Sequence, residues 1–152
     1  MAEEIVFETT VSYLLAKVGN IFRTSLDRKL IPLGLHSGRV FVLIELWRRD
    51  GQKQIDLANR INVAAPTLSK MITGLEEINL VERRVLEGDA RATRIFLTPQ
   101  GWAIKGEISP HWREFEVNFL SSLTESEGWM IADLLGKIRA ANSPGETNGD
   151  DE

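Results

Sequence analysis

The sequence has no cysteine, only two histidines, and fewer bases than acids. Each shortage excludes something. Without cysteine there are no disulfides, thiolate metal sites or thiol redox sensors. With only His36 and His111, an imidazole metal site lacks ligands, which leaves carboxylates as the remaining donors. No metal or cofactor is expected. No HExxH pair, glycine-rich phosphate loop or nucleophile elbow is present, so no enzyme is expected. No apolar run approaches the ~20 residues of a membrane span. Met1-Ala2-Glu3-Glu4 is acidic where a signal peptide needs base, so a cytoplasmic protein without membrane contact is expected.

The 152 residues fit one domain or a domain with an extension, and 43% hydrophobic content suffices for a packed core. The net charge of −4 is unevenly placed. Four acids lie beyond Asn142 with no base among them, and without that stretch 18 acids face 18 bases. Between Arg48 and Arg94 bases outnumber acids, nine to seven. Local sign governs phosphate contact more than the total does, but the excess is too small to argue nucleic-acid binding by itself.

The strongest pattern lies between Gln54 and Leu80. Leu57, Ala58 and Ile61 share one helical face opposite Asp56, Asn59 and Arg60. Asn62 stands where that helix must stop, and Asn is the best non-glycine residue for a left-handed turn. Ala64, Ala65 and Pro66 open a second helix, since proline is tolerated in a first turn. Leu68, Met71, Ile72, Leu75 and Ile78 make its apolar face. The other face shows Thr67, Ser69, Lys70 and Thr73, short and mostly uncharged. Such residues suit a helix pressed into a DNA major groove, where long side chains would collide. An ordinary helical hairpin fits the same residues.

Val81 to Leu86 alternates as a strand, Glu87 to Ala90 reads as a turn, and Thr93 to Leu97 returns. This hairpin carries Arg83, Arg84, Arg91 and Arg94, so it can serve as a wing that meets phosphate or a narrow minor groove. Arg83 and Arg84 alternate faces, so only one of them is expected to see DNA. A lone hairpin is marginal in water and must pack on the helices.

Upstream, Ile5 to Leu30 reads as one long helix with a broad apolar stripe, broken by Pro32 and Gly34. A second helix runs from a cap at His36 or Ser37 to about Arg49 and is apolar nearly all round, which makes it the expected centre of the core. Downstream, Thr98-Pro99 is a helix start, and Pro110 should kink or split that helix. Thr124 and Glu127 match a capping box for a last helix. Asn142 onward reads as a polar, disordered tail. The terminal helices hold more apolar surface than a small winged domain can cover, which implies a second copy of the chain.

Taken together, the chain resembles the MarR (multiple-antibiotic-resistance regulator) family of winged helix-turn-helix transcription factors. The resemblance rests on Asp56-Leu57-Ala58-Asn59-Arg60-Ile61, then Thr67 to Glu76, then Leu80-Val81-Glu82-Arg83. Asp89-Ala90-Arg91-Ala92 and Leu97-Thr98-Pro99-Gln100-Gly101 complete it, and the Asp-x-Arg wing before Leu-Thr-x-x-Gly is the most specific piece. It implies a mainly α fold with a small β-wing: a dimerisation helix over 1–34, a winged helix-turn-helix over 35–98, dimerisation helices over 99–141 and an acidic tail over 142–152. The implied function is that of a homodimeric repressor on a near-palindromic double-stranded operator, released by a small aromatic or phenolic effector. The implied DNA contacts are Pro66, Thr67, Ser69, Lys70, Thr73, Arg83, Arg84 and Arg94, with Asp89 holding Arg91 for the minor groove. Tyr13, Arg23, His36 and Arg39 are the implied effector contacts. Ala90 stands where the family often has a second arginine, and Lys53 where it often has a hydroxyl cap. The alternative from another class is a winged-helix protein-interaction module without DNA binding.

Overall fold

The computed structural model describes residues 4–86 and 92–143. The first helix, α1 (Val11–Leu30), starts at the first residue of its apolar stripe and not at Ile5. Thr10 is extended, and its hydroxyl accepts the Tyr13 N–H at 3.3 Å, so the chain is capped there and only a short 3-10 turn over Phe7–Thr9 precedes it. A second 3-10 turn, Ile31–Leu33, ends at Gly34 with φ 74°, the left-handed conformation glycine adopts freely. Helix α2 (Ser37–Arg48) follows. Neither His36 nor Ser37 caps it by its own side chain. The Asp27 carboxylate of α1 accepts the Ser37 N–H at 2.6 Å, placing negative charge on the positive end of the helix.

The helix-turn-helix is α3 (Gln54–Arg60) and α4 (Ala65–Glu77). Asn62 turns the chain between them with φ 55°, and Asn79 does the same after α4 with φ 59°. Lys53, as its chemistry suggests, gives α3 no side-chain cap. The wing strands are β2 (Val81–Val85) and β3 (Thr93–Leu97), so the first strand stops one residue earlier than expected; the turn expected at Glu87–Ala90 lies outside the described residues. A further strand, β1 (Gln52–Lys53), was not foreseen. It pairs antiparallel with β3, Gln52 opposite Ile95, giving a three-stranded sheet in the order β1-β3-β2. Arg83 stands opposite Ile95 on the other side.

This sheet is fastened to the end of α2 by polar bonds. The Gln52 amide donates to the Glu45 and Arg49 carbonyls at 2.8 and 2.7 Å, Leu97 N–H donates to Asp50 at 2.8 Å, and Arg94 donates to the Gly51 carbonyl at 2.8 Å. Beneath it lies one core of Leu26, Leu30, Leu43, Leu46, Leu57, Leu68, Ile72, Leu75 and Ile95, all fully buried. As expected, α2 is central to it.

Helix α5 (Pro99–Phe119) is capped by Thr98, whose hydroxyl accepts the Gly101 N–H at 3.0 Å. Pro110 does not split it. The carbonyl that loses its partner belongs to Gly106, and both residues face solvent, so water can replace the missing bond. Phe22 of α1 meets Trp112, Phe115 and Phe119 of α5 edge-on, with ring centres 5.4–6.2 Å apart. The last helix, α6 (Glu125–Asn142), opens with the expected capping box, and Glu127 accepts the Thr124 N–H at 2.8 Å. That bond, and then the Thr124 hydroxyl, hold the Glu127 carboxyl below its usual range. The helix runs through Asn142, which therefore belongs to α6 and not to a tail. None of its residues is buried. No single described helix is long and apolar enough to cross a membrane.

Candidate nucleic-acid interface

The recognition-type helix α4 divides sharply. Leu68, Ile72 and Leu75 are fully buried, which fixes the helix against the core. Pro66, Thr67, Lys70 and Thr73 are exposed on the opposite side, with Ser69 half-buried at its edge. All five recognition-helix residues picked out from sequence therefore stand on or beside one outward face. The Thr73 hydroxyl donates back to the Ser69 carbonyl at 3.0 Å, so its oxygen remains an acceptor.

The three described wing arginines are held by the protein itself. Arg83 turns from β2 toward α4 and pairs with Glu76. Its guanidinium also donates to the Ser69 carbonyl at 2.8 Å and reaches the hydroxyls of Ser69 and Thr73 and the Gln54 side chain, each at 3.3 Å. Arg84 points the other way. It pairs with Glu82 and lies 4.3 Å from the centre of the Phe96 ring. Arg94 reaches back to Gly51. The expected alternation of Arg83 and Arg84 is thus present, and Arg83 is the one beside the recognition helix. Asp89 and Arg91 lie outside the described residues.

The four residues suggested for an effector do not converge within one protomer. Arg23 is exposed on α1, one turn before the Asp27 that binds the start of α2, and exposed His36 is close by. Tyr13 lies 14 residues before Asp27 on the same helix, roughly 21 Å along its axis. Arg39 lies elsewhere, packed over Gly74 of α4. It lines an open groove of about 420 Å³ with Pro66, Ser69, Lys70, Thr73, Gly74 and Glu77. Sequence reasoning placed Gln54 and Glu76 in the motif but not as Arg83 partners, and gave Gly74 no role. The one visible signal was a glycine inside an otherwise regular helix. A second cavity, of about 340 Å³, lies between α2 and α5 and is bounded by Trp47 and Trp112. The Lys105 ammonium lies 5.8 Å from the Trp47 ring centre there. Among the described residues no cluster of His, Asp or Glu could hold a metal ion.

Comparison with known proteins follows from this geometry. Residues 35–93 match the family model described as the MarR family. A MarR-family transcriptional regulator from Silicibacter pomeroyi is 27% identical, with a TM-score of 0.76 over 95% of this chain and 99% of that one. The MepR protein of Staphylococcus aureus, solved as a DNA complex, is also 27% identical, with a TM-score of 0.74 over 88% and 99% of the two chains. A Mycobacterium tuberculosis MarR-family protein, solved with salicylic acid, is 24% identical, with a TM-score of 0.70 over 91% and 99%.

Proposed function

We propose, from the premise that this chain belongs to the MarR family of winged helix-turn-helix transcription regulators, that it binds double-stranded DNA as a homodimer and represses transcription until a small aromatic anion releases it. The observation that carries the reading is the outward face of α4. Thr67, Ser69, Lys70 and Thr73 stand together there, mostly short and polar, as suits a helix that enters a major groove. Beside them stands Arg83 of the wing, and the related MepR chain was solved on DNA. Arg91 at the wing would meet the minor groove, held by Asp89.

The dimer reading rests on uncovered apolar surface. Val11, Leu14, Leu15, Val18 and Ile21 of α1 are 40–65% exposed, and Trp129 and Met130 of α6 are 73% and 61% exposed. An 18-residue helix that buries nothing is marginal alone, so a second copy is the economical cover. Two recognition helices set about 34 Å apart would then read a near-palindromic operator one DNA turn in spacing. An effector that favours another spacing would release the protein by population shift. Salicylate bound to the mycobacterial relative supports an aromatic carboxylate as its class. Arg23 and His36, on either side of the Asp27 bond that joins α1 to α2, are the proposed contacts for such a ligand, with Tyr13 coming from the second copy.

The test is fluorescence anisotropy on duplex DNA from upstream of the protein's own gene, beside a shuffled duplex, across salt. Tight, salt-sensitive binding that prefers the native duplex is expected. No binding to either duplex at low salt would remove the DNA reading and leave a protein-interaction module.

A further inference from the structure

Arg39 has no role in the helix-turn-helix as read from sequence, because it belongs to α2. Its side chain nonetheless leaves that helix and lies across α4 at Gly74. A β-carbon on Gly74 would stand 2.3 Å from Arg39 Nη2 and 2.5 Å from Cζ, closer than side-chain contacts allow. Gly74 is buried, so the guanidinium occupies the space that any other residue would fill. Among the described residues no hydrogen bond or ion pair engages that guanidinium. Arg83, ten residues beyond Thr73, makes six such bonds, which shows how readily this region satisfies an arginine when it faces inward.

A half-buried cation without a partner among the described residues, held against backbone, is positioned to meet a ligand. What it faces is the groove shared with Lys70, Ser69 and Thr73. Two cations and two hydroxyls there converge from two different helices. Glu77 closes the groove's far end, one turn beyond Thr73, so the anion-accepting part is the end nearer Pro66. The ligand that this chemistry fits is an oxyanion. On a face that the DNA reading presses toward a duplex, that oxyanion is a backbone phosphate.

We propose that Arg39 is a DNA-phosphate contact contributed by α2, carried across the recognition helix by the missing side chain of Gly74 and acting with Lys70. This rests on the DNA reading above and extends it, since it puts a phosphate contact outside the helix-turn-helix and the wing. Arg39 carries no sequence information in this role. It sets register and affinity, and its signature is salt dependence.

Three variants test it: Arg39→Gln, Arg39→Lys and Gly74→Ala, measured by anisotropy on the upstream and shuffled duplexes from low to high salt. Arg39→Gln should reduce the slope of log affinity against log salt by about one unit on both duplexes and weaken low-salt binding roughly tenfold. Arg39→Lys should keep most of the slope. Gly74→Ala leaves Arg39 in place but must push its guanidinium aside, so it should reproduce the Arg39→Gln slope, and the double variant should lose nothing more. Thermal melts of all three check folding, since glycine to alanine within a helix favours the fold. A well-folded Arg39→Gln protein with the parent slope overturns the proposal. A parent slope in Gly74→Ala, with a reduced one in Arg39→Gln, overturns the part given to Gly74. A parent protein that binds neither duplex overturns the DNA reading itself, which the variants alone cannot do.

Discussion

Arg83 on the second strand of the sheet donates to Glu76 on the recognition helix, and this pair is the direct join between the wing and the helix beside it. Both side chains are about one-third exposed, so the pair is neither solvated nor sealed. Its geometry spends on the protein an arginine that a sequence reader would give to DNA. Arg83 is therefore a positioning residue, and the hydroxyls it holds, Ser69 and Thr73, are the ones proposed to meet base edges.

Arg83→Gln should cost about 1–2 kcal/mol in urea unfolding, with Glu76→Gln costing less and the double variant close to Arg83→Gln alone. On DNA it should lower the preference for the native over the shuffled duplex while the salt slope stays within about half a unit of the parent. A full unit of slope lost would mean that Arg83 leaves Glu76 for a phosphate.

Gly101 is the tightest of the described glycines. A β-carbon there would stand 2.0 Å from the Leu80 carbonyl oxygen, which is backbone and has no rotamer to yield. The Gly101 carbonyl meanwhile accepts the Trp47 indole N–H at 2.9 Å. Gly101→Ala should destabilise by about 1–3 kcal/mol, read as a drop in melting temperature with a change in tryptophan fluorescence. An unchanged melt would show that α5 can slide away from the wing without cost.

The uncovered face of α6 gives a sharper expectation for assembly. Leu134→Glu with Ile138→Glu places two charges on a face whose side chains are 49% and 43% exposed in the single chain. In one protomer alone, that change is nearly free. In a dimer closed by this face it is prohibitive. Sedimentation velocity should show the parent at twice the chain mass and the variant at once, with DNA binding weakened in step. A variant that stays dimeric would move the interface to another surface.

The capping box of α6 makes a pH prediction. The Glu127 carboxyl titrates below its ordinary value because the Thr124 N–H, and then its hydroxyl, bind the charged form. A lowered folded value means that the stabilisation is whole above the unfolded carboxylate range and disappears as pH falls through the lowered one. The urea midpoints of the parent and of Glu127→Gln should therefore differ at pH 7 and converge toward pH 3. A gap that stayed constant would assign the effect to hydrogen bonding alone.

Much of this fold is legible in the sequence where the cause is local. Asn62 and Asn79 announce left-handed turns because few other residues tolerate them, and both take positive φ. Thr98 and Thr124 announce helix starts through bonds made within three residues. Strand β3 has the predicted bounds, with Ile95 and Leu97 buried on either side of Phe96. What escaped notice depends on distant partners. Two residues, Gln52 and Lys53, are too few to show a period and become a strand only beside Ile95 and Arg94. Asp27 caps a helix that begins ten residues later, across a break that Pro32 and Gly34 announce without fixing where the chain returns. Arg83 reads the same in sequence whether it faces solvent, a nucleic acid or Glu76; packing alone decides. The outward face of α4 was legible because five positions share it, whereas the packing of Arg39 over Gly74 was not, because the two lie 35 residues apart.

The fastening of the sheet to the end of α2 has a mechanical meaning. Gln52, Asp50 and Arg94 leave no loose joint between them, so the sheet and α2 turn as one lever. A five-residue strand reaches roughly 16 Å, so a tilt of about 10° in α2 would carry the far end of the wing by roughly 3 Å. That travel is comparable to a whole hydrogen-bond length, enough to make or break a polar contact at the far end of the strand. In the proposed release mechanism, a ligand that tilts α2 by that angle would need no other linkage to move the wing.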